Sequence, residues 1–337
     1  MYAQDLFPAQ PAAPGPVYWH SLDTELWRVV EDHVRRRLRQ AGYRELRSPA
    51  VVPSAAGHVE IFNRRPRSFR DLPLRCFEFG TVQDDGHCFC REDQLEAEVA
   101  RFCRLQTLLQ ADFGFHVLEV RRPARPAVRA GSDVDWDRAE QALDAAARAA
   151  GLDPVPHAGE AAFHGPRLEF GLRDRLGRAQ RCGTLQLDFA LPERLGAEYH
   201  DAAGLARRPV VLHHAVLGSL ERFIGVLLEH HDGHLPAWLA PEQVLVAAIN
   251  KEAAPYALKL EQQLVDAELR VAFDDGPDTL PRKIVEARER GIPLLVVIGK
   301  REARERIVTL RHRDGRQTVL PLAEAVARIQ AAAAGPK

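Results

Sequence analysis

The 337-residue chain has 46 Lys and Arg against 47 Asp and Glu, a formal net charge of −1, and 46% hydrophobic residues. That length supports two domains, each with its own core, and the balanced charge excludes a globally basic nucleic-acid binder, so any RNA contact must come from a local patch. No apolar run approaches a membrane span, no basic-then-apolar signal opens the chain, and five cysteines are too few and odd in number for a disulfide framework. A cytoplasmic protein with no membrane partner is expected.

After a Pro- and Ala-rich lead-in, Leu22, Leu26, Val29, Val30, Val34 and Leu38 fall on one helical face. Ser21 as cap and Gly42 as stop predict a helix over 22–41. The run Arg35-Arg36-Arg37 on its later turns reads as a solvated face that suits a helix C-terminus. The alternation of Cys76–Val82 predicts a strand, and Asp85-Gly86 predicts a hairpin turn into His87–Cys90. Residues 92–112 read as a helix ended near Gly114, and Phe115–Val120 as a strand. Ser132 or Asp133 caps an Ala-rich helix that stops at Gly151.

Three strands follow, Arg167–Leu172, Thr184–Leu191 and Val210–His214, and then a buried helix over Leu220–Glu229. The strand-rich order, with helices arriving irregularly, predicts an α+β fold on an antiparallel sheet. Beyond the segment 236–241 the order changes. Strands at 244–249, 270–273 and 293–298 alternate with helices at 256–267 and 281–290, which predicts a small, mainly parallel sheet. A hairpin around Asp314-Gly315 and a helix over 322–331 close the chain. The division expected is 1–237 and 238–337.

Several stretches carry a family resemblance. Gly42-Tyr43-Arg44-Glu45-Leu46-Arg47-Ser48-Pro49 looks like the strand of the first class II synthetase motif. Arg67–Arg75 with Glu78-Phe79-Gly80 looks like the approach to the second. Gln83-Asp84-Asp85-Gly86-His87-Cys88-Phe89-Cys90, Cys182–Phe189 with Leu191–Arg194, and Leu217-Gly218-Ser219-Leu220-Glu221-Arg222-Phe223 resemble threonyl-tRNA synthetase, the last as its third motif. The resemblance covers nearly all the chain. It implies an antiparallel class II catalytic sheet, a small α/β anticodon-binding domain after it, and a homodimer built around the first motif.

The resemblance also implies chemistry: threonine is activated with ATP and Mg²⁺, then passed to tRNA. Arg222 matches the third-motif arginine that meets ATP, where a fixed cation stabilises charge developing on the α-phosphate. Gln83 and Asp85 match residues that orient threonine, and Thr184 and Gln186 are retained in the following strand. His164 stands in place of a tyrosine, and Arg181 in place of a glutamine. The family's zinc site takes one Cys and two His. His87 and His213 match the histidines, but Ala55 stands where the cysteine belongs, and two imidazoles make a weak site. Cys88 and Cys90 beside His87, with His58 and His214 near matched positions, make a rebuilt site conceivable, but a Cys-x-Cys without a second pair is a weak metal signal and the two cysteines read as small buried residues. In the second domain Arg301, Glu302 and Arg311 match residues that read anticodon bases.

The chain is short where that chemistry sits. In the family a long strand–loop–strand with the α-phosphate arginine separates the second-motif strand from Gln83, whereas here Thr81-Val82 runs straight into Gln83-Asp84-Asp85. Loss of one preorganised donor costs about 10²–10³ in rate, and loss of the hairpin more. The expected function is that of a threonyl-tRNA synthetase-like protein whose ligase reaction is impaired or lost. The alternative is a non-catalytic paralogue that binds tRNA, a small ligand such as threonine or a related amino acid, or a partner synthetase.

Overall fold

The computed structural model describes residues 20–49, 53–80, 84–160, 162–174 and 176–336. They form two compact units, one over Glu31–Leu227 and the other from Leu228 onward together with residues before Glu31. Among the described residues no helix is long and apolar enough to cross a membrane.

The first unit is built on an eight-stranded sheet. Helix α1 (Ser21–Gln40) buries Leu26, Val30, Val34 and Leu38, the apolar stripe of the sequence. Ser21 is its first residue rather than its cap, and the chain entering at His20 is tied by its N–H to the Asp23 carboxylate. The arginine run is not a uniform solvated face. Arg37 is buried and donates Nε and Nη2 to Asp112 at 2.6 and 3.0 Å, while Arg35 stays near the surface with Glu31, Asp32 and Glu45. A partner 75 residues away made this burial possible, and a helical window does not contain it.

Short β1 (Arg44–Glu45) precedes α2 (Ser54–Asn63), then β2 (Leu74–Phe79) and β3 (Asp84–Cys90). The predicted turn at Asp85-Gly86 is corrected here. Both residues lie inside β3, paired with Glu78 and Phe77, and the reversal falls between Phe79 and Asp84. Gly86 serves packing instead of turning: a Cβ there would lie 2.0 Å from the His214 ring. Helix α3 (Leu95–Asp112) follows, then β4 (Leu118–Ala124) and α4 (Asp133–Ala149). Ser132 caps α4 through a reciprocal pair with Asp135, a device worth about 1 kcal/mol.

β5 (Pro154–Glu160), β6 (Arg167–Arg173) and β7 (Ala179–Asp188) complete that half of the sheet. A single-turn α5 (Leu191–Arg194), the small pair β8 (Tyr199–His200) and β9 (Ala206–Arg207), β10 (Val210–Ala215) and α6 (Leu220–His230) end the unit. The sheet order is β1-β2-β3-β10-β7-β6-β4-β5, antiparallel throughout its middle and parallel only at the two outermost pairs. Its two faces differ. Helices α3 and α4 cover one, where Phe102 meets Phe170 and the His214 ring. On the other, α2 covers only the β2–β3 end, stacking Phe62 on Phe89 at 4.6 Å within a cluster of Val59, Cys76, Tyr199 and Val211. The remainder of that face is the floor of the site described below.

In the second unit a five-stranded sheet runs in the order Val271–Asp274, Val244–Ala248, Leu294–Ile298, Ile307–His312, Gln317–Pro321. β11 (Val244–Ala248), α7 (Ala254–Asp266), β12 (Val271–Asp274), α8 (Leu280–Glu289) and β13 (Leu294–Ile298) give the parallel part. After α9 (Lys300–Glu305), the hairpin of β14 (Ile307–His312) and β15 (Gln317–Pro321) adds antiparallel strands, and α10 (Leu322–Ala333) packs back. Two apolar clusters lie on opposite faces, one around Val246, Val296 and Leu260, the other around Leu245, Leu295 and Ala287. Every residue of β11 and β13 is buried, as a strand covered on both faces requires.

Candidate functional site

Strand register lays the residues singled out in the sequence into rows on the open face of the large sheet. Cys76 lies opposite His87, His87 opposite His213, His213 opposite Gln186, and Gln186 opposite Arg167. Beside that row, Glu78 pairs with Asp85, and Ala215 and Glu169 both pair with Thr184. Alternation along each strand puts these side chains on one face. Asp85, His87, His213, Thr184 and Gln186 are therefore brought together; Gln83 lies outside the described residues.

The row is tied by imidazoles. His87 is fully buried, with Nε2 2.8 Å from His213 Nδ1 and Nδ1 2.7 Å from His58 Nδ1. His58 comes from α2 and also stands 3.6 Å from Cys76 Sγ and 3.7 Å from a Glu78 carboxylate oxygen. At the far end His213 Nε2 bonds Asp188 Oδ2 at 2.9 Å, and His164 Nε2 is 3.9 Å from the same oxygen. Burial holds His58, His87 and His164 below the ordinary imidazole range, His87 furthest. Burial would raise the Asp188 carboxyl, but His213 and the backbone N–H groups of Leu191 and Ala190 outweigh it and hold it low.

His164 reaches this cluster because Gly165 lets its segment lie against β7, where a Cβ would come 1.9 Å from the Leu187 carbonyl oxygen. Asp85 is pushed up by burial, with a hydrogen bond from Ser54 acting the other way. Asp188 is a member of the cluster that the sequence reading did not place in the site, its only signal being membership of the Cys182–Phe189 segment, whereas His58 was named only for a rebuilt metal site.

These donors do not fit a zinc ion. His87 and His213 spend the nitrogens that face each other on one hydrogen bond, Ala55 offers no ligand, and among the described residues no three His, Cys, Asp or Glu side chains converge as a metal requires. Cys88 and Cys90 are buried on the strand positions between His87 and the helix-covered face, as small core residues are.

Arg222 stands on the first turn of α6, exposed, with Nη2 donating to the Arg181 carbonyl oxygen. The Arg181 side chain turns to Glu169, which also takes Arg167 at 2.6 Å. Arg75 and Arg91 are both engaged within the fold. Arg75 grips the buried Glu98 with Nε and Nη2 at 2.5 and 2.6 Å, and Arg91 holds Asp93 and the Phe69 carbonyl. A cavity of about 1080 Å³ opens on the other side of β7, between Glu92–Glu96, the Asp135–Ala145 side of α4 and Phe189; Asp188 alone is common to it and the cluster.

In the second unit Arg301 is exposed on α9 with Nε 3.3 Å from Glu305. Both Glu302 oxygens are used internally, one by the Gly299 N–H at 3.0 Å and one by the Thr309 hydroxyl at 3.0 Å. Arg311 lies two residues beyond Thr309 on β14 and lines a recess of about 170 Å³ with Arg288 and Arg313. The structure thus joins Glu302 to β14 but sets Arg311 further along that strand.

Comparison with known proteins agrees with this architecture. The tRNA synthetase class II core domain (G, H, P, S and T) matches residues 81–231, and the anticodon binding domain matches 243–332. The threonine–tRNA ligase of Phenylobacterium zucineum is 43% identical over 375 aligned positions, covering 95% of this chain and 57% of the ligase. That of Caulobacter sp. is 40% identical over 385 positions, covering 98% and 58%. The chain spans about three fifths of the length of these relatives, and the aligned positions exceed its own 337 residues, so they carry internal segments that it lacks. Among solved structures, the RNA binding domain of threonyl-tRNA synthetase from Cryptosporidium parvum superposes with a TM-score of 0.89 at 29% identity, covering 98% of this chain and 96% of that one. The chain carries a class II tRNA synthetase core domain followed by an anticodon-binding domain, and is similar over nearly its whole length to threonine–tRNA ligases.

Proposed function

We propose that this is a threonyl-tRNA synthetase-derived protein that keeps an amino-acid face and a nucleotide arginine but forms the aminoacyl-adenylate poorly. One observation carries the reading. Phe79 pairs directly with Asp84, so residues 80–83 are the whole connection between β2 and β3, where the family resemblance calls for an ATP-facing hairpin. ATP with Mg²⁺ would be met by Arg222, without a second preorganised cation over the α-phosphate. Threonine or a related amino acid would lie over Asp85, Thr184, Gln186 and His213, with His164 and Arg181 altering the pocket's hydrogen-bonding character. Selection of the amino acid would fall to these side chains, because the imidazole row does not offer a metal.

The anticodon-binding domain supports tRNA as the macromolecular partner, with Arg301 and Arg311 the available base or phosphate contacts. Glu302, with both oxygens engaged, serves the fold of that edge unless it is released. A homodimer about the first motif, a border between the domains at 237/238 and a cytoplasmic setting belong to the same reading. The second reading, a non-catalytic subunit that binds tRNA or a partner synthetase, is favoured by the same short connection.

Threonine-dependent exchange of pyrophosphate into ATP tests the first reading. Exchange at least about 10²-fold below that of a threonyl-tRNA synthetase with the hairpin is expected. Exchange at a comparable rate overturns it.

A further inference from the structure

The third-motif arginine does not stand on a free turn. Asp84, 5% exposed at the first residue of β3, accepts the backbone N–H groups of Val216, Leu217 and Gly218 at 2.5, 3.0 and 2.7 Å. Its own N–H donates to the Gly218 carbonyl oxygen at 3.2 Å. Four hydrogen bonds thus clip the start of β3 to the three residues that follow β10 and lead into α6. Gly218 takes a φ of +73°, a conformation that suits glycine and lets the turn present its amides to one carboxylate. Ser219 then accepts the Arg222 N–H at 3.3 Å, and Arg222 lies on the first turn of the helix.

We propose that Asp84 is the positioning residue for Arg222: by clipping the Val216–Gly218 turn it sets where α6 begins and so where the guanidinium points. This rests on the reading of Arg222 as the nucleotide-binding arginine. Asp84 does not itself reach the open face, because alternation along β3 puts its neighbour Asp85 there. Three amide donors to one carboxylate form a stiff mount, since each bond is charge-assisted and shielded from water. Burial pushes the Asp84 carboxyl up to about 6, against the pull of the three amides. The clip also stands immediately after the shortened 80–83 connection.

The test is a double-mutant cycle on ATP affinity, measured by calorimetry, with Asp84→Asn and Arg222→Ala. Asp84→Asn is expected to weaken ATP about tenfold in the parent, the scale of one misplaced charge-assisted contact, and not to weaken it further once Arg222 is gone. An equal loss in both backgrounds, or none in either, overturns the proposal. Gly218→Ala strains the same turn from its other side and is expected to reproduce the loss with Asp84 intact; it decides the matter should Asp84→Asn fail to fold. Modification of Arg222 by phenylglyoxal, followed by peptide mass spectrometry, needs no nucleotide. Faster modification in either variant is expected, and unchanged rates overturn the proposal even if the parent binds no ATP. Absence of ATP binding by the parent would instead contradict the nucleotide reading of Arg222.

Discussion

Side chains hold side chains at the His87 end of the large sheet's open face, whereas at the Arg222 end one buried carboxylate holds the backbone of a turn from which a single side chain projects. His58, His87, His213 and Asp188 form an unbroken chain of hydrogen bonds running from α2 across the sheet to β7, mostly out of water. Arg222 is exposed, and its support is the Asp84 clip. The first region is part of the core, so altering it costs stability. The second is a mounted surface group, so on the proposed reading altering it costs ligand and not stability. A hairpin can therefore be missing beside Arg222 without loss of the fold, because the strands there close on each other and the clip persists.

Substitution separates the two ends most sharply. His87→Ala removes a fully buried group bonded on both sides and strands two neighbours, so a loss of about 3 kcal/mol in unfolding free energy is expected from denaturant titration. Arg222→Ala should stay within about 0.5 kcal/mol of the parent in the same titration. Similar losses for both would erase the distinction.

Acid should weaken the buried histidines next. Burial holds His58 and His87 low and brings His214, on the helix-covered face, to about 3. An unfolded chain takes up protons at these residues below about pH 6.5 while the fold does not, so stability is present above that pH and falls as pH drops. For His214 alone the fall between pH 6.5 and 5 is on the order of 2 kcal/mol. Asp84, raised to about 6, acts in the opposite sense between its unfolded value and 6, since the fold binds its proton more tightly. Three histidines outweigh it, and a lower denaturation midpoint at pH 5 than at pH 7 is expected. A midpoint higher at pH 5 would mean that these imidazoles are not held neutral.

Metal content is the finest discriminator. Protein purified without chelator should carry well under one zinc per chain by elemental analysis, because His87 and His213 are bonded to each other and position 55 is alanine. One tightly held zinc per chain would show that the row opens to take a metal.

Local chemistry made much of this fold legible. The α1 stripe, the Ser132 cap and the alternating strands and helices of the second unit each carry their signal within a few residues. Elements that depend on distant partners were not legible. Asp85-Gly86 resembles a hairpin turn, but the glycine answers to His214, 128 positions on, whose ring leaves no room for a Cβ. β5 carries two prolines and was missed, since an edge strand with a single parallel neighbour tolerates them. α9, almost wholly charged, has no apolar period to read.

The same division holds for the site. Motif segments pointed to Asp85, His87, Thr184, Gln186, His213 and Arg222. Asp84 and Asp188 act through folded contacts: Asp84 through amides more than 130 positions away, and Asp188 through the ring of His213. A sequence pattern shows the carboxylates but not what they hold.

The central claim is that the short β2–β3 connection removes transition-state support for adenylate formation while leaving the fold intact. Single-turnover formation of threonyl-adenylate, with protein in excess over labelled ATP and threonine saturating, measures that step without tRNA transfer or product release. The rate is expected at least about 10²–10³ below that of a threonyl-tRNA synthetase carrying the hairpin, in protein that unfolds cooperatively. Adenylate formed at a comparable rate would contradict the account.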